Sequence, residues 1–205
     1  VQLGTTSHMI WKIDELIAHV SQFFTLKKGD IMAFKVLTIV GTRPEIIRLS
    51  RIIPLLDEYF DHRLIHTGQN FTSSLSDVFF RDLALRSPDV NLEIPTSSLG
   101  KSLSALFVGV EEQLLAFKPQ GILILGDTNS ALTSIMARRM GIAVYHLEAG
   151  NRSFDLNVPE EINRQIIDHA SDFNLVYSEH ARRNLLSEGL NPRFISLIGS
   201  PLQEV

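Results

Sequence analysis

Six short runs dominated by apolar, often β-branched residues recur from Lys35 onward: KVLTIV (35–40), RLIHT (63–67), GILILG (121–126), IAVYHLE (142–148), FNLVYS (173–178) and FISLIG (194–199). A weaker run, DVNLEI, lies at 89–94. Strands apolar at successive positions are buried on both faces, which happens where helices cover both sides of a parallel sheet. Helix-period segments separate the runs, at 44–59, 72–83, 100–117, 129–140, 160–170 and 179–188. Strands alternating with helices of that length form βαβ units, so the expected fold is α/β, a doubly wound, Rossmann-like parallel sheet. Ligands of such sheets bind beyond the carboxyl ends of the strands. That directs attention to the loops 41–44, 67–72, 126–129 and 148–160.

Composition removes several alternatives. The chain of 205 residues carries a net charge of −4, so no basic field exists to hold a nucleic-acid backbone. It has no cysteine, which excludes disulfides and thiolate chemistry. No apolar run approaches the roughly 18 residues of a membrane span, and the N-terminus lacks the basic-then-apolar pattern of a signal peptide. A soluble, cytoplasmic protein is the expectation.

The loops carry the chemistry. VGTRPEIIRLS (40–50) reads as strand, glycine turn and helix start, with Arg43 and Arg48 placed to meet an anionic ligand such as a diphosphate. The plain alternative is a capped helix with surface arginines. GDTNSAL puts Asp127 at the end of the most apolar strand, either as a helix cap or as a site carboxylate. HLEAG ends the next strand on Glu148; a carboxylate at that depth has a raised pKa unless it is paired, which suits a general base. His146, two residues earlier, is expected on the same side of the strand, and a satisfied core histidine is its simpler reading.

In NVPEEINR (157–164), Glu160 and Glu161 open a helix where the dipole favours acids, and Arg164 stands four positions after Glu160. Alone this is a charged first turn; with Asp127 and Glu148, Glu160 makes a third acid on one face of the sheet. Arg152 either contacts ligand phosphate or braces the acids. In HTGQNF (66–71), Gln69 and Asn70 are neutral hydrogen-bonders suited to a sugar or to an ordinary polar turn.

These motifs, KVLTIVGTRPEIIRLS, HTGQN, GDTNSAL, HLEAGNRSFD and PEEINR in this order, resemble the non-hydrolysing UDP-N-acetylglucosamine 2-epimerases over about 32–205. The short loop EAGNRSFDLNVPEEINR looks closer to the capsule and O-antigen branch that makes UDP-N-acetyl-L-fucosamine. The resemblance implies the N-terminal half of a two-domain, glycosyltransferase-B-like fold, with the active site in the cleft between Rossmann-like halves. It implies inversion at C2 of a UDP-N-acetylhexosamine: a base removes the C2 proton as UDP leaves C1, and UDP adds back to the glycal-like intermediate. Such a C–H needs a carboxylate base, an acid on the opposite face and cations on the departing diphosphate. Carried over by motif, the acids are Asp127, Glu148 and Glu160, and Arg43, Arg48, Gln69, Arg152 and Arg164 bind substrate. Arg48 stands where many relatives have lysine, which changes the contact geometry. No cofactor or metal is called for, and the resemblance implies a homodimer.

Two departures qualify the match. The leader TSHMIWKIDELIAHVSQFFTLKKGD (6–30) resembles a fragment of the fumarylacetoacetate hydrolase family; a foreign or fused segment over 1–31 is expected, a native capping helix being the alternative. The epimerase domain is expected at 32–199, with 200–205 opening a linker to a UDP-binding half that the family carries, so little catalysis is expected from this chain alone. Competing readings are a glycosyltransferase of the same architecture, a hydrolysing relative that releases free N-acetylmannosamine, and a non-catalytic binding or dimerisation module.

Overall fold

The computed structural model describes residues 34–68 and 80–201. The leader, Gln69, Asn70 and most of the 72–83 segment lie outside the described residues. Seven strands form one parallel sheet: β1 (Lys35–Val40), β2 (Asp61–His66), β3 (Val90–Asn91), β4 (Gly121–Leu125), β5 (Ala143–Leu147), β6 (Phe173–Val176) and β7 (Ile195–Leu197). Their order is β3-β2-β1-β4-β5-β6-β7. The expected doubly wound α/β sheet is what forms, every expected strand included.

The helices are α1 (Arg43–Leu49), α2 (Ile52–Tyr59), α3 (Leu99–Phe117), α4 (Ser134–Arg139), α5 (Pro159–Ala170) and α6 (Glu179–Ser187). Two depart from expectation. The segment read as one helix over 44–59 is two, because Pro54 has no N–H to donate to the carbonyl of Ser50. Splitting the helix places Pro54 in the first turn of α2, where amides lack intrahelical partners anyway. The segment 129–140 begins as a tight 3₁₀ turn over Asn129–Thr133 before α4. There the Thr133 hydroxyl donates to the Ser130 carbonyl at 2.7 Å, a local bond that competes with regular helix.

Alternation along the strands builds a large core on each face of the sheet, with a smaller cluster of Ala149, Val176, Ala181, Leu185 and Ile195 under α6. Val36, Val40, Leu64, Leu123, Leu125, Tyr145, Leu147, Phe173 and Leu175 pack toward α1 and α2. Leu37, Ile39, Ile65, Ile122, Ile124 and Val144 pack toward α3, α4 and α5. With both faces covered, nearly every strand position is apolar, which is the signal the sequence displays.

Strand order reverses between β1 and β4, so the crevice of this sheet opens between the loops following them. Beside it, the β5–α5 loop makes a close approach at Gly150, whose φ is +77°. A Cβ there would lie 2.4 Å from the Ala181 carbonyl oxygen, too near to fit without moving α6. Gly150→Ala therefore combines a left-handed backbone with a backbone clash. It is expected to cost about 2–4 kcal/mol, read as a fall in the urea unfolding midpoint.

Candidate active site

Four side chains from opposite layers meet as two ion pairs at the carboxyl end of the sheet. Glu148, directly after β5, bonds Arg48 in the last turn of α1. Asp127, two residues after the neighbouring β4, bonds Arg164 in α5. β4 and β5 are adjacent and parallel, with Leu125 opposite Leu147, so both acids leave the sheet at one end. All four side chains are partly exposed, from 12% for Glu148 to 28% for Arg48, and so remain open to a ligand.

Backbone geometry decides where Glu148 points. His146 and Glu148 were expected on one side of the strand, and they are not. Val144 packs into the α5 layer, and His146 reaches that layer too, its Nδ1 lying 2.8 Å from Asp168 Oδ1. Glu148 takes φ +65° and swings instead to Arg48, in the α1 layer. A non-glycine residue in that region costs on the order of 1 kcal/mol and persists only where its surroundings hold it. Asn151 Nδ2 donates to Glu148 Oε1 at 3.4 Å and helps to hold it.

Glu160 is exposed in the first turn of α5, and Arg164 reaches away from it to the strand end. The expected pair between them is replaced by Arg164 with Asp127, and with Glu161 at 4.0 Å. Glu160 and Arg164 still share one helix face, being four residues apart. Arg43 is exposed at the start of α1. Gln69 lies outside the described residues.

Arg152 is turned inward: its side chain is 1% exposed. Nη1 donates to Asp168 Oδ2 at 2.7 Å, while Nε and Nη2 form a two-pronged bond to Glu188 at 2.7 Å each. Asp168 is fully buried and also accepts from the Gly150 amide at 3.2 Å. Burial alone would raise its pKa, but His146 and Arg152 outweigh it and hold the carboxyl below the ordinary 3.8. Glu161, likewise buried, accepts from the Ser153 amide at 2.8 Å. Asp155 is exposed. The charges of 148–170 thus divide into a buried clamp on the loop and an open group facing the crevice.

Sequence reasoning passed over three residues. Glu45, 2% exposed, accepts from the amides of Gly41 at 2.5 Å and Thr42 at 2.7 Å. Its other oxygen accepts from the Thr128 hydroxyl at 2.6 Å, tying the β1 loop to the β4 loop across the crevice floor. Burial pushes this carboxyl above its ordinary 4.5 against the pull of those bonds. The T-x-x-E spacing of Thr42 and Glu45 is a capping box and was its available signal. Asn163 donates to the Asp127 carbonyl at 2.9 Å and to Asn129 Oδ1 at 3.2 Å. Tyr177, just past β6, packs on the α1-side core with its hydroxyl buried. Neither has a sequence signal of its own. Among the described residues, no group of three or more histidine, aspartate or glutamate side chains is arranged to hold a metal ion. None of their helices is long and apolar enough to cross a membrane.

A doubly wound parallel domain with paired acids and arginines at its strand ends has a Rossmann-like architecture with a charged group placed where such sheets bind ligands. The chain belongs to the UDP-N-acetylglucosamine 2-epimerase family, whose model matches residues 56–205. A second model, fumarylacetoacetate hydrolase C-terminal, matches residues 1–39. The UDP-N-acetylglucosamine 2-epimerase of Methanocaldococcus jannaschii is 40% identical over 170 residues, covering 82% of this chain and 46% of that protein. The UDP-2,3-diacetamido-2,3-dideoxy-D-glucuronate 2-epimerase of Pseudomonas aeruginosa is 34% identical, covering 80% and 47%.

Among solved structures, the Rickettsia bellii UDP-N-acetylglucosamine 2-epimerase superposes with TM-score 0.79 at 48% identity, over 83% of this chain and 46% of that one. The M. jannaschii enzyme in complex with UDP-GlcNAc and UDP superposes with TM-score 0.78 at 40% identity, over 82% and 47%. A lipopolysaccharide outer core galactosyltransferase, 12% identical with TM-score 0.58, shares the fold alone. The chain spans about half the length of the curated relatives it matches.

Two outcomes test the local geometry. Glu148→Gly is expected to be more stable than Glu148→Ala by about 1 kcal/mol in urea unfolding, since glycine adopts φ +65° without penalty. Asp168, with a folded pKa below its unfolded one, contributes stability that is full above pH 3.8 and is lost as pH falls through the folded value. The stability gap between wild type and Asp168→Asn is therefore expected to be constant near neutrality and to narrow in acid, followed by circular dichroism across pH.

Proposed function

We propose that this domain supplies the acid-bearing wall of a UDP-N-acetylhexosamine 2-epimerase that works by eliminating and re-adding UDP. The observation that carries the reading is the pair of carboxylate–arginine contacts, Glu148 with Arg48 and Asp127 with Arg164, at adjacent strand ends beside the switch point. Epimerisation at C2 needs carboxylates that can take and return a carbon-bound proton, with cations for a leaving diphosphate. The site holds both in contact.

In this reading the ion pairs are exchanged when substrate binds. The diphosphate competes for Arg48 and Arg164, with Arg43 assisting at the start of α1, and each guanidinium that turns to phosphate releases a carboxylate toward the hexose. Asp127, Glu148 and Glu160 are the proton-transfer candidates, and Gln69 contributes a neutral contact. Arg152 acts indirectly, by bracing the loop that presents Glu148. The substrate is UDP-GlcNAc or an N-acetylated analogue, including the 6-deoxy sugars of capsule and O-antigen synthesis. A homodimer acting in the cytoplasm belongs to the same proposal.

The glycosyltransferase reading is less well supported, because that chemistry does not require paired acids at both strand ends. Solvent-deuterium incorporation at C2 of UDP-GlcNAc separates them, run on this chain alone and joined to the part of the M. jannaschii relative that it does not span. Incorporation is expected in the joined protein. Asp127→Asn and Glu148→Gln are each expected to lower it at least about 100-fold while leaving the circular dichroism spectrum intact. Full incorporation in both variants would overturn the assignment of these acids.

A further inference from the structure

Tyr177 occupies an unusual position for a phenol. It follows β6 directly, on the strand that pairs with β5, and its ring packs on the core beneath α1. The neighbouring turn is pinned there by the Ala149 amide, which donates to the Leu175 carbonyl at 3.4 Å. The Tyr177 hydroxyl is buried and has no hydrogen-bond partner among the described residues. A buried hydroxyl left unpaired loses its hydration without return, so its position has to be accounted for.

The surroundings indicate a partner for that hydroxyl. Leu147 of β5 lies opposite Leu175 of β6, so Glu148 and Tyr177 leave neighbouring strands at the same end of the sheet, and both turn to the α1 layer that carries Arg48. Burial, reinforced by Glu148 and opposed by Arg48, drives its pKa far above the ordinary 10.0. The group therefore keeps its proton at any working pH and serves as a neutral donor, not as a base or nucleophile. A neutral donor on the same side and at the same end of the sheet as a carboxylate–guanidinium pair suits a sugar oxygen bound against that pair.

Tyr145 provides an internal contrast. Its hydroxyl is also buried and unpartnered among the described residues, but its ring stacks on Phe173 at 4.8 Å and its charged neighbour is Asp172, which precedes β6. It therefore sits toward the amino end of the sheet, away from the ligand crevice. The two phenols share burial and differ in place.

We propose that the Tyr177 hydroxyl is a ligand-contacting group whose missing partner is a hexose oxygen of the nucleotide sugar bound against Glu148 and Arg48. The inference rests on the nucleotide-sugar reading above. Its test is Tyr177→Phe in this chain joined to the part of the M. jannaschii relative that it does not span, with Tyr145→Phe as the control, measured by thermal unfolding without ligand and by calorimetric titration with UDP-GlcNAc and with UDP. Tyr177→Phe is expected to keep or raise the unfolding midpoint, since it removes an unpaired hydroxyl without opening a cavity. It is also expected to weaken UDP-GlcNAc about three- to tenfold, the span of one hydrogen bond, and UDP by less than about twofold.

Tyr145→Phe is expected to keep or raise the midpoint and leave both affinities alone. A lowered midpoint for Tyr177→Phe would show a structural role and overturn the inference. So would UDP-GlcNAc affinity equal to wild type, or an equal loss for UDP. If wild type binds no UDP-GlcNAc, the nucleotide-sugar reading itself falls, and the hexose contact with it; wild-type binding that the variant matches defeats the inference alone.

Discussion

The buried carboxylate of Asp168 is the interaction on which the site depends. One side chain collects the Gly150 amide, the Arg152 guanidinium and the edge of His146, drawn from β5 and the loop after it. Arg152 extends the clamp to Glu188 beyond α6, and the Asn184 amide donates to the Gly150 carbonyl at 2.9 Å. An uncompensated charge at that depth would be strongly destabilising, so the three contacts are obligatory rather than decorative. Once they form, the turn after β5 has one conformation, and Glu148 must leave it at φ +65°. The unfavourable backbone of the open residue is thus held by the buried charges behind it.

Much of this was legible in the residues. The apolar runs announced a sheet covered on both faces because burial on both sides leaves little room for polar positions. Pro54 explains the one long helix that divides, and its effect was open to inspection in the sequence. The loops that bear Asp127 and Glu148 followed from strand order alone. What the sequence could not show was which charges of 148–170 point inward. Arg152 and Asp168 are ordinary surface residues by type, and only Gly150, Glu188 and His146, gathered from distant positions, make them core. The direction of Glu148 was missed for a related reason: strand alternation stops where a residue takes a positive φ.

Pairing was the other quantity hidden from sequence. Arg48 was readable as an anion ligand, Arg164 as a partner of Glu160 or a substrate-binding residue by resemblance, and Glu148 and Asp127 as acids, but the contacts they make require α1 and α5 to lean over the strand ends from opposite layers. Each pair is therefore charge-balanced, although each of its members is a strong point charge. Glu45 and Tyr177 are complementary cases. Glu45 has every oxygen occupied, whereas the Tyr177 hydroxyl has none of its bonding used within the described chain.

The bond from Thr128 to Glu45 has a mechanical consequence. Sheets of this type are joined at the switch point through one pair of central strands, and here that seam is β1 against β4, in register from Val36 and Gly121 to Thr38 and Leu123. Glu45 laces the seam shut at its upper rim, since one carboxylate grips the loop on each side. The floor of the crevice consequently behaves as a keel. Any difference in the width of the crevice has therefore to come from the walls above it, on α5 and the loop before it, because spreading the sheet would break the Glu45 bridge.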